Sequence, residues 1–381
     1  MNLHLRVART LSEVESVSGP WGGLLARTPG AGLFLSPEWY RCWLDAWPGS
    51  AEPAVLLLEE PAGALRALLP LARTRERAAG LPVRVTSIGG EALASGDHLG
   101  VVAEAGLEGA AWDRVEEWLD GELRRADVVR LGALDDGWQT ARVAEAARRR
   151  GWRLRERDRQ AAPVARLAGS WGEFEAGLGA RRRSRLEYYA RRLRRELGEV
   201  RECLNEEARP LAEVLDLVAG LHTRLWRTRG RAGTLGAAAK RRFLGSFCAE
   251  AHRRGWLRLH QLYAGPRLLA AAIVFHFGGV ASYYQSGWDP DLRQYNVGEL
   301  VVLQGLRAAV AEGLARFDFL RGDEPYKRRY AADEVPLVSL DLAARPLGRL
   351  LLAAAGGRRR LGAALRGERA ARRVRPAEIA E

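Results

Sequence analysis

The segment Phe317–Tyr330 reads FDFLRGDEPYKRRY, and the lysine within it is unusual for this chain. Of the 60 basic residues only Lys240 and Lys327 are lysines, so arginine supplies nearly all of the positive charge. Arginine is a planar fork that stays charged, whereas lysine is a compact ammonium that can be desolvated and can change its pKa. A lysine that follows an apolar strand directly therefore needs an explanation.

Upstream of this segment the second half of the chain alternates helices and strands. Apolar runs and breaks predict a strand at 199–204, helices at about 207–228 and 236–254, and three consecutive strands, WLRLHQLY, RLLAAAIVFHF and VASYYQSGW. A polar loop, DPDLRQYN, leads into a helix that begins near Gly298. The strands ARFDFL and VPLVSLDL complete the order β-α-α-β-β-β-α-β-turn-β.

The first half is an α/β pattern of its own. Ser36 and Pro37 predict a helix start at SPEWYRCWLDAWP, and its tryptophans recur every four residues as a core stripe. Two apolar runs around Pro61–Gly63 predict a hairpin, LPVRVTSIGG and ADVVRLGAL predict further strands, and helices are expected at about 107–124 and 138–150. A connecting helix pair is expected at about 170–197.

Composition limits the class of protein. The 381 residues, 47% apolar and 28% charged, predict two or three domains of a folded, water-soluble protein. The N-terminus has no secretory pattern and the longest apolar run, Leu268–Phe275, is too short to span a bilayer. Three scattered cysteines and six histidines without zinc-ligand spacing indicate a reduced, metal-free, cytoplasmic protein.

The net charge of +13 comes from two segments. Residues 181–195 hold eight arginines and one glutamate, residues 345–381 hold ten arginines and three glutamates, and each segment carries +7. The remainder therefore carries −1, so the body of the protein is close to neutral. Either segment could contact phosphate, and the alternative for the tail is a frayed, solvated terminus.

Four stretches together resemble the CelD-like acyltransferases of the GNAT superfamily, which are relatives of the FemAB aminoacyltransferases: SPEWYRCWLDAW, LHTRLWRTRG, YYQSGWDPDLRQYNVGELVVLQG and FDFLRGDEPYKRRYA. The resemblance covers about residues 20–342 and is strongest from Leu221 onward. It implies an α/β protein, in the mixed α+β sense, with two tandem GNAT-like acyl-CoA N-acyltransferase domains, each a mixed sheet flanked by helices. The implied divisions are an N-terminal domain (1–165), a connecting helix pair (166–198), a C-terminal domain with the active site (199–345) and a basic helical tail (346–381).

The resemblance also implies an activity and a donor site. A GNAT-type N-acyltransferase, for example an acetyltransferase, moves an acyl group from an acyl-CoA to an amine acceptor by direct attack, and relatives act in polysaccharide, envelope or specialised-metabolite pathways. The donor lies between two splayed strands, here VASYYQSGW and ARFDFL, with its pyrophosphate at the N-terminus of the following helix. The matching segment, at Arg293, Gln294, Asn296, Val297, Gly298 and Glu299, lacks the middle glycine of the usual GNAT motif.

The remaining site residues follow from the same resemblance. Lys327 would stabilise the oxyanion that forms when the amine attacks, although it could equally be a surface lysine paired with Glu324. Asp318 would orient or deprotonate the amine. The substrate-binding candidates are His222, Arg224, Trp226, Tyr283, Tyr284, Gln285 and Tyr326, and His98 with Asp97 resembles a loop that faces the acceptor.

Two other interpretations remain open at this stage. The acyl group could come from aminoacyl-tRNA, with the tRNA held by Arg181 to Arg195, which the missing glycine favours and the shortness of the helix pair opposes. The chain could also be a non-catalytic basic binding protein, or a GNAT scaffold that binds a metabolite without turnover. The sequence does not indicate the oligomeric state.

Overall fold

The computed structural model describes residues 3–355 except for the single positions 29, 79, 92, 168, 229 and 232. The strands are β1 (His4–Ala8), β2 (Ala51–Glu59), β3 (Leu65–Ala78), β4 (Leu81–Ile88), β5 (Val102–Ala103), β6 (Val128–Asp135), β7 (Arg153–Arg166), β8 (Val200–Leu204), β9 (Leu257–Ala264), β10 (Arg267–Phe277), β11 (Val280–Trp288), β12 (Arg316–Asp318) and β13 (Asp333–Ala343). The α-helices are α1 (Leu11–Ser16), α2 (Ser18–Ala26), α3 (Pro37–Ala46), α4 (Glu108–Leu123), α5 (Trp138–Arg150), α6 (Trp171–Gly177), α7 (Ala180–Leu197), α8 (Leu211–Arg227), α9 (Ala238–Arg253) and α10 (Val297–Ala311).

One mixed sheet runs through the whole molecule in the order β1-β2-β3-β4-β6-β13-β7-β12-β11-β10-β9-β8, with β5 beside β3. The same unit occurs twice in it. In the N-terminal half β2, β3 and β4 form an antiparallel meander, α4 follows, and β6 pairs parallel to β4. In the C-terminal half β9, β10 and β11 form the meander, α10 follows, and β12 pairs parallel to β11. The predicted pair of GNAT-like units in a mixed α/β fold is confirmed.

The two halves exchange strands at their junction. β13, the last strand, lies between β6 and β7, and β7, which precedes the connecting helices, lies between β13 and β12. The predicted connecting pair corresponds to α6 and α7. The boundaries predicted at 165 and 199 remain predictions, because the sheet continues across them without a break.

Strand β10 explains the uninterrupted apolar run in the sequence. Ala271, Ile273 and Phe275 pack into the core that contains α8 and α9, whereas Ala272 and Val274 pack into the core that contains α10. A strand covered on both faces has no polar face to alternate with. The halves also share their core, since Trp39 of α3 lies edge-on to Phe243 and Phe247 of α9, with ring centroids 4.8 Å apart in both pairs.

Helix α3 begins as its sequence predicts. Ser36 is the N-cap and its side chain accepts a hydrogen bond from the amide of Trp39 at 3.1 Å, while Pro37 occupies the first helical position. Trp39 and Trp43 are buried and Trp47 is half-buried. The tryptophan stripe therefore belongs to the core, as predicted.

Strands β1, β5 and β7 were not predicted, and the sequence of β7 shows the reason for that strand. Its sequence, RLRERDRQAAPVAR, has charges on both faces and no apolar alternation at its start. Several of its arginines form ion pairs with acids on other segments: Arg157, for example, contacts Glu91 at 3.1 Å and Asp341 of β13 at 3.3 Å. Long-range ion pairs of this kind leave no period-two signal in the sequence.

Helix length and apolar character give no candidate for a membrane-crossing segment in the described part of the chain. Nor do the described residues include a group of three or more His, Cys, Asp or Glu side chains that could hold a metal ion. Of the predicted basic tail, residues 346–355 are helical, and the prediction for 356–381 lies outside the described residues.

Candidate active site

Strands β11 and β12 separate from each other, as predicted from the sequence. β11 and β12 pair over three positions only, ending at Ser282 opposite Asp318. Directly afterwards the β10–β11 register shifts so that Tyr284 has no partner, which is a β-bulge, and bulges bend a strand. The chain after β12 instead continues along β7, where the amides of Phe319 and Gly322 donate to Pro163 and Ala161 at 3.0 and 2.9 Å. The gap between β11 and this segment is therefore built into the backbone.

A cavity of about 840 Å³ opens at this gap. Eleven of the fifteen predicted site residues line it: His222, Trp226, Tyr283, Tyr284, Gln285, Arg293, Asn296, Gly298, Glu299, Tyr326 and Lys327. They come from α8, β11, the start of α10 and the turn after β12. The topology thus collects residues that lie up to about a hundred positions apart in the sequence.

The other four predicted residues do not line the cavity. Arg224 is tied to Asp289 and Asp291 at 3.0 and 2.9 Å, Gln294 is exposed, and Val297 is buried in the core beneath α10. Asp318 is the fourth: its carboxylate lies 2.8 Å from Nε2 of His98 and accepts a hydrogen bond from the amide of Leu320 at 2.7 Å. Its expected role toward the amine remains a prediction.

Lys327 is buried at the floor of the cavity, with 4% of its surface exposed. Its Nζ donates to the carbonyl oxygens of Arg321 and Leu320 at 2.8 and 3.3 Å and lies 2.9 Å from Oε2 of Glu324. The pairing with Glu324 that the alternative interpretation expected is present, but the lysine is not a surface residue. Two backbone carbonyls and one half-exposed carboxylate hold a single buried ammonium.

The start of α10 combines a left-handed residue with a buried acid. Asn296 has φ 52° in the N-cap position, and Gly298 is packed so closely on Trp288 that an added Cβ would lie 2.8 Å from its ring. In the first turn Glu299 is buried and contacts Arg182 of α7, the hydroxyl of Tyr330 at 3.0 Å and Arg329 at 3.5 Å. A carboxylate therefore occupies the helix end where an anion would otherwise be favoured.

His222 joins α8 to the splayed strand. Its Nδ1 lies 3.0 Å from the carbonyl oxygen of Ser286, and its Nε2 lies 3.5 Å from the hydroxyl of Thr234. A carbonyl oxygen only accepts, so Nδ1 carries a proton and donates to Ser286. Nearby, burial raises the pKa of Tyr283 to about 12, so this phenol stays neutral and can donate a hydrogen bond.

The sequence interpretation overlooked Lys240. This lysine of α9 is buried, and its Nζ donates to the carbonyl of Ala94 at 2.6 Å and contacts the hydroxyl of Tyr284 at 2.7 Å. Burial and the positive charge of Arg321 lower the pKa of Lys240 to about 7, against the smaller opposite effect of Asp97. The rarity of lysine was the signal in the sequence that could have identified Lys240. Both lysines of the chain are close to this cavity: Lys327 lines it, and Lys240 contacts Tyr284, which lines it.

In the N-terminal half the corresponding region beyond the β4–β6 pairing is filled. The side chain of Glu91 packs against Gly132 of β6 so closely that a Cβ there would lie 2.4 Å from its carboxyl carbon. The carboxylate also contacts Arg157 at 3.1 Å. The open strand gap of the C-terminal half thus has a closed counterpart in the N-terminal half.

The comparisons with known proteins agree with this geometry. Residues 180–328 match the family model of the GNAT acetyltransferase domain. The structure of FemX is similar over 88% of this chain and 98% of its own, with a TM-score of 0.62 and 11% identity. The C-terminal domain of a protein described as a lysylphosphatidylglycerol synthetase, from Agrobacterium fabrum, is similar over 89% and 95%, with a TM-score of 0.53 and 12% identity.

A conserved protein of unknown function from Bacteroides thetaiotaomicron is similar over 90% of this chain and all of its own, with a TM-score of 0.52 and 11% identity. No curated protein gives a significant sequence match. At these identities the solved structures establish the fold, and the family model identifies the domain that contains the cavity. Residues 180–328 therefore form a GNAT acetyltransferase domain, and the fold of the chain as a whole is similar to that of FemX.

Proposed function

We propose that this enzyme transfers an acyl group from an acyl-CoA thioester to the amine of a small acceptor, within the cavity of the C-terminal half. The observation that carries the proposal is the parted strand pair β11 and β12 with one buried ammonium, Lys327, at its base. The unpaired edge of β11 offers backbone groups to an extended acyl chain. The closed counterpart in the N-terminal half, filled by Glu91, supports a single active site.

The reaction needs one charge to be stabilised and one proton to be removed. The amine nitrogen attacks the thioester carbonyl, a C–N bond forms, and the C–S bond then breaks to release the thiolate. Lys327 stabilises the intermediate oxyanion by donating a hydrogen bond to it in place of one of its present acceptors. Glu324 is the acceptor that is most easily displaced, because its side chain is half-exposed. His222 takes the proton from the attacking amine, since its imidazole lines the cavity and imidazole is the commonest general base in enzymes.

One observation favours aminoacyl-tRNA as the alternative donor. The carboxylate of Glu299 occupies the end of α10 at which a pyrophosphate would bind, and it is held there by Arg182 and Arg329. A buried acid in this place weakens a pyrophosphate site. The exposed arginines of α7, such as Arg181, Arg185 and Arg194, would supply the phosphate contacts that tRNA requires.

The acceptor, in either case, is an amine. An amino sugar of polysaccharide or envelope biosynthesis, or an amine of specialised metabolism, would fit the family.

The experiment first identifies the acyl donor and then tests the contribution of single residues to the transfer rate. Purified protein is analysed by mass spectrometry for bound CoA esters or tRNA, and transfer is measured with acetyl-CoA and with charged tRNA on a panel of amines. Transfer from acetyl-CoA supports the proposal, and transfer from charged tRNA alone replaces it with the alternative.

Lys327→Ala should lower kcat by ~10²–10³ while the fold is kept, because one oxyanion donor is lost. The control is Arg328→Ala, which removes an adjacent exposed positive charge paired with Asp323 and Glu334. Full activity of the Lys327 variant, or an equal loss in the Arg328 variant, would refute the role of Lys327.

A further inference from the structure

Five consecutive residues of the N-terminal half, Ala94 to His98, all make polar contacts with the C-terminal half. Ala94 accepts from Lys240, and the hydroxyl of Ser95 lies 3.4 Å from the same Nζ. The carbonyl of Gly96 accepts from the Arg321 guanidinium. Asp97 and His98 form ion pairs with residues of the C-terminal half. Ser95 and Asp97 also line the cavity.

The backbone of this segment is held in an unfavourable conformation. Ser95 has φ 62° and His98 has φ 53°, both in the left-handed region that non-glycine residues rarely adopt. Leu320, on the turn that receives the segment, has φ 56°. Such conformations cost ~1–3 kcal/mol each and persist where the surroundings fix them, commonly at functional sites. The contacts above provide that fixation.

The two ion pairs reach the turn that carries Lys327. Asp97, 1% exposed, accepts the amide of Arg321 at 2.8 Å and also binds its guanidinium. His98 binds Asp318, whose carboxylate in turn accepts the amide of Leu320. Leu320 and Arg321 are the residues whose carbonyl oxygens accept from Nζ of Lys327. An unbroken series of direct contacts thus connects Asp97 and His98 to the ammonium.

We propose that Asp97 and His98 are positioning residues for acyl transfer: they clamp the 318–321 turn from the N-terminal half and so hold Lys327 at the cavity floor. This inference rests on the proposed function of Lys327. It assigns the N-terminal half a part in the active site of the C-terminal half. Neither residue needs to touch the substrate for this role, since a displacement of about 1 Å in a catalytic group can cost ~10² in rate.

The charge of His98 gives the clamp a dependence on pH. Two carboxylates face its ring: Asp318 of β12 at 2.8 Å from Nε2, and Asp135 of β6 at 2.6 Å from Nδ1. Burial alone would lower the pKa of His98, but these two acids outweigh burial and raise the pKa well above 6.5. The clamp is therefore charged below the raised pKa and is lost as the pH rises through it.

The pKa of His98 can be lowered by a substitution at Asp135, which does not line the cavity. Its side chain is 54% exposed, so a substitution there is compatible with the fold. Asp135→Asn removes one of the two stabilising charges and lowers the pKa of His98, and the contact with Asp318 remains. Asp136→Asn is the matched control, because Asp136 is the adjacent acid and pairs with Arg159 instead.

The experiment measures kcat and KM for acetyl-CoA between pH 6 and 10 and follows the His98 ring by NMR. Asp97→Asn should lower kcat by 10- to 100-fold, on the order of the cost of a misplaced catalytic group, with little change in KM. Asp135→Asn should move the alkaline midpoints of kcat and of the His98 titration together to lower pH, because one of the two carboxylates that raise the pKa of His98 is removed. His98→Gln should lower kcat and abolish that alkaline limb.

Each outcome decides between defined alternatives. A wild-type pH profile in Asp135→Asn despite a shifted His98 titration overturns the role of His98, and a wild-type kcat in Asp97→Asn overturns that of Asp97. If His98→Gln fails to fold, the Asp135→Asn comparison still decides the matter. If only the clamp proposal fails, Lys327→Ala still shows its lowered kcat, whereas failure of the proposed function is seen as full activity of Lys327→Ala.

Discussion

The two lysines of this arginine-rich chain are both buried around one cavity, and they differ in their partners. Lys327 has the carboxylate of Glu324 beside it, whereas Lys240 has only a carbonyl and two hydroxyls within hydrogen-bond distance in the described part of the chain. An ammonium without an adjacent acid is costly to bury, so it loses its proton readily. Lys240 is therefore the residue whose protonation should affect stability most clearly.

We predict that Lys240→Met changes the pH dependence of stability. The pKa of Lys240 is about 7 in the folded protein and 10.5 in its ordinary state, so between these values the unfolded chain binds the extra proton. Wild-type stability must then rise with pH through this window, and the Met variant lacks that gain. The difference in the free energy of unfolding should grow by about 2–3 kcal/mol from pH 7 to pH 9.

Denaturant titrations of the two proteins at several pH values provide the measurement. Arg241→Met, on the same helix, is the control, because an arginine keeps its charge throughout this range. A difference between wild type and Lys240→Met that stays constant with pH would contradict the lowered pKa.

The sequence identified lysine as the rare residue type and drew attention to Lys327. It missed Lys240, because the burial of a side chain depends on residues that are distant in the sequence.

At the scale of single elements, local sequence signals predicted most of the structure. Helix caps and apolar periodicity predicted α3, α4, α5 and α8 to α10 with their approximate ends. They also predicted the strands of both meanders, β2 to β4 and β9 to β11. The charged strand β7 was missed because its partners, Glu91 and Asp341, lie about 65 and 185 positions away. The same limitation hid the pairing of Asp318 with His98, because the two residues lie 220 positions apart in the sequence.

Strand β7 allows a prediction about two arginines, one with buried acid partners and one with exposed acid partners. Arg157→Met should lower the free energy of unfolding by about 3 kcal/mol, because it removes the ion pair of the buried Glu91, whereas Asp341 keeps Arg130 and Arg155 at 3.8 and 3.7 Å. Burial already raises the pKa of Asp341 despite the arginines around it. Arg159→Met, two residues along the strand, removes ion pairs that are 46% exposed on the arginine side and should cost at most about 1 kcal/mol. Equal losses in chemical denaturation would contradict this account.

At the scale of the whole molecule, the strand exchange makes each half depend on the other. β13 completes the sheet between β6 and β7, and the clamp from Ala94 to His98 connects the N-terminal half to the active site. The sequence predicted two similar units in tandem, and both are present. It could not predict the exchange, because β13 continues the local pattern of the C-terminal half and nothing in its residues indicates which neighbours it pairs with.

We therefore predict that the halves fold as one cooperative unit. A chain ending at residue 332 lacks β13 and leaves the edges of β6 and β7 unpaired, so the N-terminal half should lose its stable fold although none of its own residues is missing. A chain ending at residue 355 keeps every described element and serves as the control. Circular dichroism and hydrogen exchange at amides of β2 to β4 provide the measurement. Native protection of those amides in the shorter chain would show that the N-terminal half is independent, and the clamp would then join two separately stable domains.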